Sequence, residues 1–86
     1  STGALEERSQ DNTLSVTKDG EIFFNREPLR FDELPARLAR LKAEQPDPKA
    51  FVNGDEKAYF GAAVHVLDEL RQSGITRVSI DTRPKD

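Results

Sequence analysis

Residues 15–25, "SVTKDGEIFFN", decide the fold. Alternating residues flank Asp19 and Gly20, which is the pattern of a β-hairpin. Two registers compete. A two-residue loop at Asp19-Gly20 pairs Val16 with Phe23 and Leu14 with Asn25, and so puts Leu14 and Val16 on the face opposite Ile22 and Phe24. A three-residue loop, Lys18-Asp19-Gly20, pairs Thr17 with Glu21, Val16 with Ile22 and Leu14 with Phe24. All four apolar side chains then share a face. Gly20 falls at the left-handed position such a loop needs, where glycine costs least. Register follows the buried face, so the three-residue loop is expected. Neighbours on a strand point to opposite sides. Phe24 therefore enters the core, and Phe23 points the other way beside Ser15.

Upstream, residues 1–13 ("STGALEERSQDNT") are polar and net acidic and read as a flexible linker. Downstream, Asn25-Arg26-Glu27-Pro28 reads as a turn. A helix is expected over residues 32–45. Asp32 suits its cap, Pro35 is tolerated in its first turn, and Leu34, Leu38 and Leu41 form an apolar stripe. Glu33 and Arg37 stand at i, i+4 spacing, and Pro46 and Pro48 end the helix. "KAFVN", residues 49–53, reads as a strand whose pattern does not say which of its faces is inward.

A second helix is expected over residues 59–73, stopped by Gly74. Its apolar face is Tyr59, Ala63, Val66, Leu67 and Leu70, with Phe60 and Val64 on the flank. "TRVSID", residues 76–81, reads as the last strand, with Val78 and Ile80 inward. The order is β-β-α-β-α-β. A helix between the last two strands makes them parallel. The expectation is a two-layer α+β domain over residues 14–84 with a tail at 85–86. It has a mixed sheet of about four strands and both helices on one face. The other sheet face is left bare.

The composition excludes several functions. The 86 residues carry a net charge of −3 and show no basic stripe, which argues against nucleic acid as a partner. With no cysteine there is no disulfide, no thiolate catalysis and no cysteine-based zinc site. No apolar run is long enough to span a bilayer. The opening "STGALEER", without methionine, reads as that of an excised fragment.

No residue set suits catalysis or a cofactor. His65 is the single histidine and falls on the outer side of its helix. Asp55 and Glu56 are adjacent in a loop, where a solvated or capping role is expected rather than acid-base chemistry. Ser15, Ser73 and Ser79 lack a glycine-flanked elbow. "NGD", residues 53–55, is too short for a phosphate loop. The chain reads as a non-enzymatic module without cofactor or metal. An alternative of another class is a small-ligand α/β domain with a pocket near Asp55 and Arg77 at the ends of the parallel strands.

Three segments carry a family resemblance: "LSVTKDGEIFFNREPL" (residues 14–29), "DELPARLARL" (32–41) and "NGDEKAYFGAAVHVLDELRQSGITRVSIDT" (53–82). In this order and spacing they resemble the periplasmic domain of the ExbD/TolR family of biopolymer transport proteins, over residues 14–84. The family often has Arg-Ala-Asp where Asn53-Gly54-Asp55 stands, and proline at Tyr59. The resemblance implies a domain held in the periplasm by an inner-membrane helix outside these residues. That helix sits in a ring of ExbB-like or TolQ-like protein, within a complex driven by the proton motive force. The domain would act as a dimer and engage a TonB-like or TolA-like partner or peptidoglycan, with the ExbD-like role slightly favoured. Residues 1–13 would be its tether. A bare sheet face carrying an aromatic is a candidate contact surface, which singles out Ser15, Thr17, Phe23 and Phe51. The partner is expected to add as a strand at the hairpin edge or the open face.

Overall fold

The computed structural model describes residues 12–55 and 60–83. Of the linker expected over residues 1–13, the part up to residue 11 lies outside the described residues, as do Glu56, Tyr59 and the tail, while Asn12 and Thr13 are not linker but the start of the first strand. The hairpin forms in the three-residue register. Strand β1 (Asn12–Val16) runs antiparallel to β2 (Ile22–Phe24), with Leu14 opposite Phe24 and Val16 opposite Ile22. Thr17 and Glu21 close the loop, the Thr17 N–H donating to the Glu21 carbonyl at 2.9 Å. Gly20 has φ 85°, in the left-handed region. The Thr17 hydroxyl oxygen accepts from the Asp19 and Glu21 N–H groups. Gly20→Val should cost about 1–2 kcal/mol through left-handed strain. An unchanged urea midpoint would contradict that loop geometry.

The sheet has five strands where about four were expected. The extra one is β3 (Glu27–Leu29), antiparallel to β2, with Phe23 opposite Pro28. Residues 25–28 are thus half turn and half strand. Asn25 (φ 51°) and Arg26 (φ 75°) both take positive φ, as a two-residue hairpin loop of primed type requires. The asparagine side chain fastens this turn to β1, its Oδ1 accepting the Thr13 N–H at 3.0 Å.

Next come a 3-10 turn (Phe31–Glu33) and helix α1 (Leu34–Glu44), with Pro35 in the first turn where its missing N–H has no role. Leu34, Leu38 and Leu41 are buried as their spacing required. The charged partners differ from expectation. The Glu33 carboxylate accepts the Arg30 N–H, Asp32 pairs with the Arg30 guanidinium at 2.7 Å, and Arg37 lies over the Phe24 ring at 4.5 Å.

Strand β4 (Lys49–Asp55) runs parallel to β1 and is two residues longer than expected. Helix α2 (Phe60–Gln72) follows, then β5 (Arg77–Arg83), parallel to β4. Strand order is β3-β2-β1-β4-β5, with β1 central. One hydrophobic core joins the leucines of α1, the inner face of α2, and Leu14, Val16, Ile22, Phe24, Ala50 and Val52 from the sheet. Both helices therefore cover the same sheet face.

Helix α2 is turned slightly from its expected face. Ala62 is buried with Val66 and Leu70, while Ala63 is only half-buried and Phe60 is 79% exposed. The helix ends in a Schellman arrangement: the Gly74 N–H donates to the Arg71 carbonyl, and the Ile75 N–H to that of Leu70. Ile75 is buried here, a core residue the period of the helix did not announce. Gly74 has φ 83°, and a Cβ there would meet the Lys42 ammonium at 2.8 Å. That ammonium sits where the α2 dipole favours positive charge. The flexible lysine tip can swing aside, so Gly74→Ala should cost mainly the left-handed strain, about 1–2 kcal/mol. Urea melts give the measurement, and a stabilising alanine would contradict it.

Candidate interaction surface

The face opposite the core is built from alternate residues of the same strands. Ser15 pairs with Phe23 on β2 and with Asn53 on β4, and Phe23 with Pro28 on β3. One rung away, Phe51 pairs with Thr13 and with Ser79. Since Ala50 and Val52 are buried, Phe51 is placed on the open face, resolving the ambiguity of its strand. Thr13, Ser15, Phe23, Phe51 and Asn53 are all half-buried, and no described helix covers them. Lys49, two residues from Phe51 on the same strand, holds its ammonium 5.5 Å from that ring's centre.

The structure thus brings Ser15 and Phe23 together directly. Phe51 stands two strands from Phe23, roughly 10 Å at ordinary strand spacing, with β1 between them. Thr17 lies just beyond β1 and serves the hairpin loop. The β2 strand is not a sheet edge, because β3 occupies its outer side. The strand addition expected at the hairpin edge therefore has no place on β2.

The two true edges differ. On β3, Glu27 pairs with Phe24 across the tight turn and Leu29 with Ile22. In an antiparallel ladder alternate residues direct their backbone groups outward, and the residue that does so here is Pro28, which has no N–H. Proline in this place is a known guard of sheet edges. No proline interrupts β5. Among the described residues the large apolar side chains left exposed are Ile80 on β5, at 61%, and Phe60 and Val64 on α2, at 79% and 45%. Ile80 was expected inward. Its register with Val52 does put it on the helix face, but among the described residues no strand lies outside β5 to complete the burial.

The alternative pocket is not assembled. Asp55 ends β4 opposite Arg83, while Arg77 begins β5 opposite Lys49. A parallel register places Asp55 and Arg77 at opposite ends of the strands. The Arg77 guanidinium instead donates to the Asp47 carbonyl and carboxylate. The His65 and Phe31 rings stand perpendicular with centroids 4.8 Å apart, and His65 is 3.7 Å from the Glu69 carboxylate. Among the described residues no group of three or more His, Cys, Asp or Glu is placed to hold a metal ion, and no helix is long and apolar enough to cross a membrane.

Comparison with known proteins gives concordant relatives. The chain is 26% identical over 89 residues to the Tol-Pal system protein TolR of Pseudomonas aeruginosa, covering 85% of this chain and 61% of that protein. It is 24% identical over 76 residues to the biopolymer transport protein ExbD of the same organism, covering 88% and 57%. It is 22% identical over 77 residues to the biopolymer transport protein exbD2 of Vibrio cholerae, covering 90% and 58%. The chain thus spans about three-fifths of the length of these relatives. The family model described as biopolymer transport protein ExbD/TolR matches residues 1–85, and the chain belongs to that family.

Proposed function

We propose that this chain is a non-enzymatic periplasmic interaction domain. Its complex is inner-membrane, proton-motive-force-driven and of the ExbB-ExbD-TonB type. The domain engages a TonB-like energy transducer to power outer-membrane transport. The segment that precedes Asn12 serves as its tether to a membrane helix outside these residues, and that helix contacts the ExbB-like channel. The observation that carries the reading is β5, the last strand of the described sheet, which no proline interrupts and which carries the exposed Ile80. The margin of a sheet is where a further strand can add. A second copy can pair there to give a homodimer, and a partner segment can extend the same sheet. Ser15, Phe23 and Phe51 on the open face, with Thr17 at its margin, add side-chain contacts.

The TolR-like reading, binding to TolA or peptidoglycan for envelope integrity, is supported by the TolR relative at similar identity. One experiment separates the two. Isotope-labelled domain is titrated with TonB-like and TolA-like periplasmic segments, and a peptidoglycan pull-down is run alongside. Shifts along residues 77–83 with the TonB-like segment alone support the first reading. Peptidoglycan retention with TolA-dependent shifts supports the second. No response in any arm overturns both.

A further inference from the structure

On the open face of the sheet, the first rung of β4 and β5 sets two cations side by side. Lys49 and Arg77 are direct partners in the parallel register. One rung on, Phe51 pairs with Ser79 of β5 and with Thr13 of β1. The Lys49 ammonium lies 5.5 Å from the centre of the Phe51 ring. Phe51 is half-buried, whereas Lys49 and Arg77 are exposed. The ring thus has a hydroxyl-bearing residue on each side and two cations at one end.

Like charges at facing ladder positions repel, and this pair is only partly relieved. The Arg77 guanidinium donates to Asp47 through one nitrogen, at 3.3 Å to its carbonyl and 3.4 Å to its carboxylate. Both side chains of that ion pair are more than half exposed, so water screens it and it contributes little. Two cations less one carboxylate leave +1 at this corner, in a chain whose net charge is −3. A guanidinium carries five N–H donors, and a single committed nitrogen leaves a fork for a second carboxylate. Spacing adds a further requirement. Lys49 and Phe51 are alternate residues of one strand, about 7 Å apart. In an extended peptide, side chains two residues apart have the same separation and face the same way. A carboxylate over the Lys49–Arg77 pair therefore brings the side chain two residues away over the Phe51 ring.

We infer that this corner of the open face binds an extended acidic peptide segment, with an Asp or Glu carboxylate between Lys49 and Arg77 and an apolar side chain two residues away against Phe51. The contacts are made by side chains, so the segment needs no free sheet edge. The site is separate from strand addition at β5 and does not depend on the TonB-like or TolA-like reading.

The test is a titration of the isotope-labelled chain with the peptide Ser-Asp-Ser-Leu-Ser, blocked at both ends. Versions with Asn in place of Asp and with Ser in place of Leu are run beside it, as is inorganic phosphate. Saturable binding below about 5 mM is expected for the acidic peptide, with amide shifts at Ala50, Phe51, Val78 and Ser79. The Asn and Ser versions should each bind roughly five-fold more weakly, the order of one exposed ion pair. Lys49→Gln should weaken the acidic peptide by about the same factor, and Lys49→Arg should restore most of the loss, with the urea midpoint little changed in both. Phosphate should displace the peptide only at higher concentration, since it sets nothing against Phe51. Equal binding of the acid and amide peptides, displacement by an equal concentration of phosphate, indifference to Lys49→Gln, shifts centred elsewhere on the sheet, or no saturation would each overturn the inference. A TonB-like or TolA-like segment that shifts residues 77–83, with no response to the acidic peptide, would sink this site and leave the proposed function standing. Acidic-peptide binding with no response to those segments would do the reverse.

Discussion

Phe24→Ala should lower the stability of the isolated domain by about 3–5 kcal/mol, the usual cost of emptying an aromatic site in a core. Phe24 is 3% exposed, sits opposite Leu14 on the central strand, and carries the Arg37 guanidinium on its ring. The substitution therefore opens a cavity and removes a link from α1 to the sheet, part of which is a cation–π contact. Phe23→Ala should cost the monomer much less, since Phe23 faces away from the helices and is only half-buried. Its larger effect should fall on association, by about 1–3 kcal/mol in binding of a partner segment or a second copy. Urea melts and titrations on both variants make the comparison. Equal destabilisation, with association intact, would show Phe23 to be a core residue and move the contact surface elsewhere.

Leu70→Ala should cost about 2–5 kcal/mol. Leu70 is fully buried, and its carbonyl also accepts the Ile75 N–H that ends α2. Truncation leaves the backbone bond in place but removes the apolar contact that accompanies it, between the third-last helical residue and the buried Ile75. Val64→Ala, on the exposed flank of the same helix, should stay within about 0.5 kcal/mol. The pair tests the orientation of α2. A larger loss at Val64 than at Leu70 would mean that the helix presents its other flank to the sheet.

The parts of the fold legible in the sequence are those where a single physical requirement outweighs the rest. The first hairpin could be read because only one loop length puts Leu14, Val16, Ile22 and Phe24 on one face. Helix α1 could be read because Leu34, Leu38 and Leu41 repeat at helical spacing while Pro35 stays within the first turn. Strand β3 could not, because three residues containing a proline resemble a turn extension. The usual signal for a tight primed turn is glycine, and Arg26 takes the positive φ in its place. Ile80 illustrates a different limit. Its face follows from alternation, but its exposure depends on β5 being the last strand, and strand order is set by tertiary pairing.

The contact surface was legible only in part. Phe23 was placed by register alone, whereas Phe51 needed the pairing of β4 to show that Ala50 and Val52 take the inner face. The asymmetry between the two sheet edges was hidden, because one of them is formed by β3, a strand the pattern concealed.

The central position of β1 bears on how the domain would carry mechanical load. The chain enters it at Asn12, which is buried and donates from its side chain to the Lys49 carbonyl at 3.0 Å. A pull applied at Asn12 along the axis of β1 acts on a strand held between an antiparallel neighbour and a parallel one. Such a load is borne in shear by many inter-strand bonds at once, instead of opening them one by one. If the far anchor is β5, the line of tension crosses only β4, and the β2–β3 end of the sheet is left unloaded.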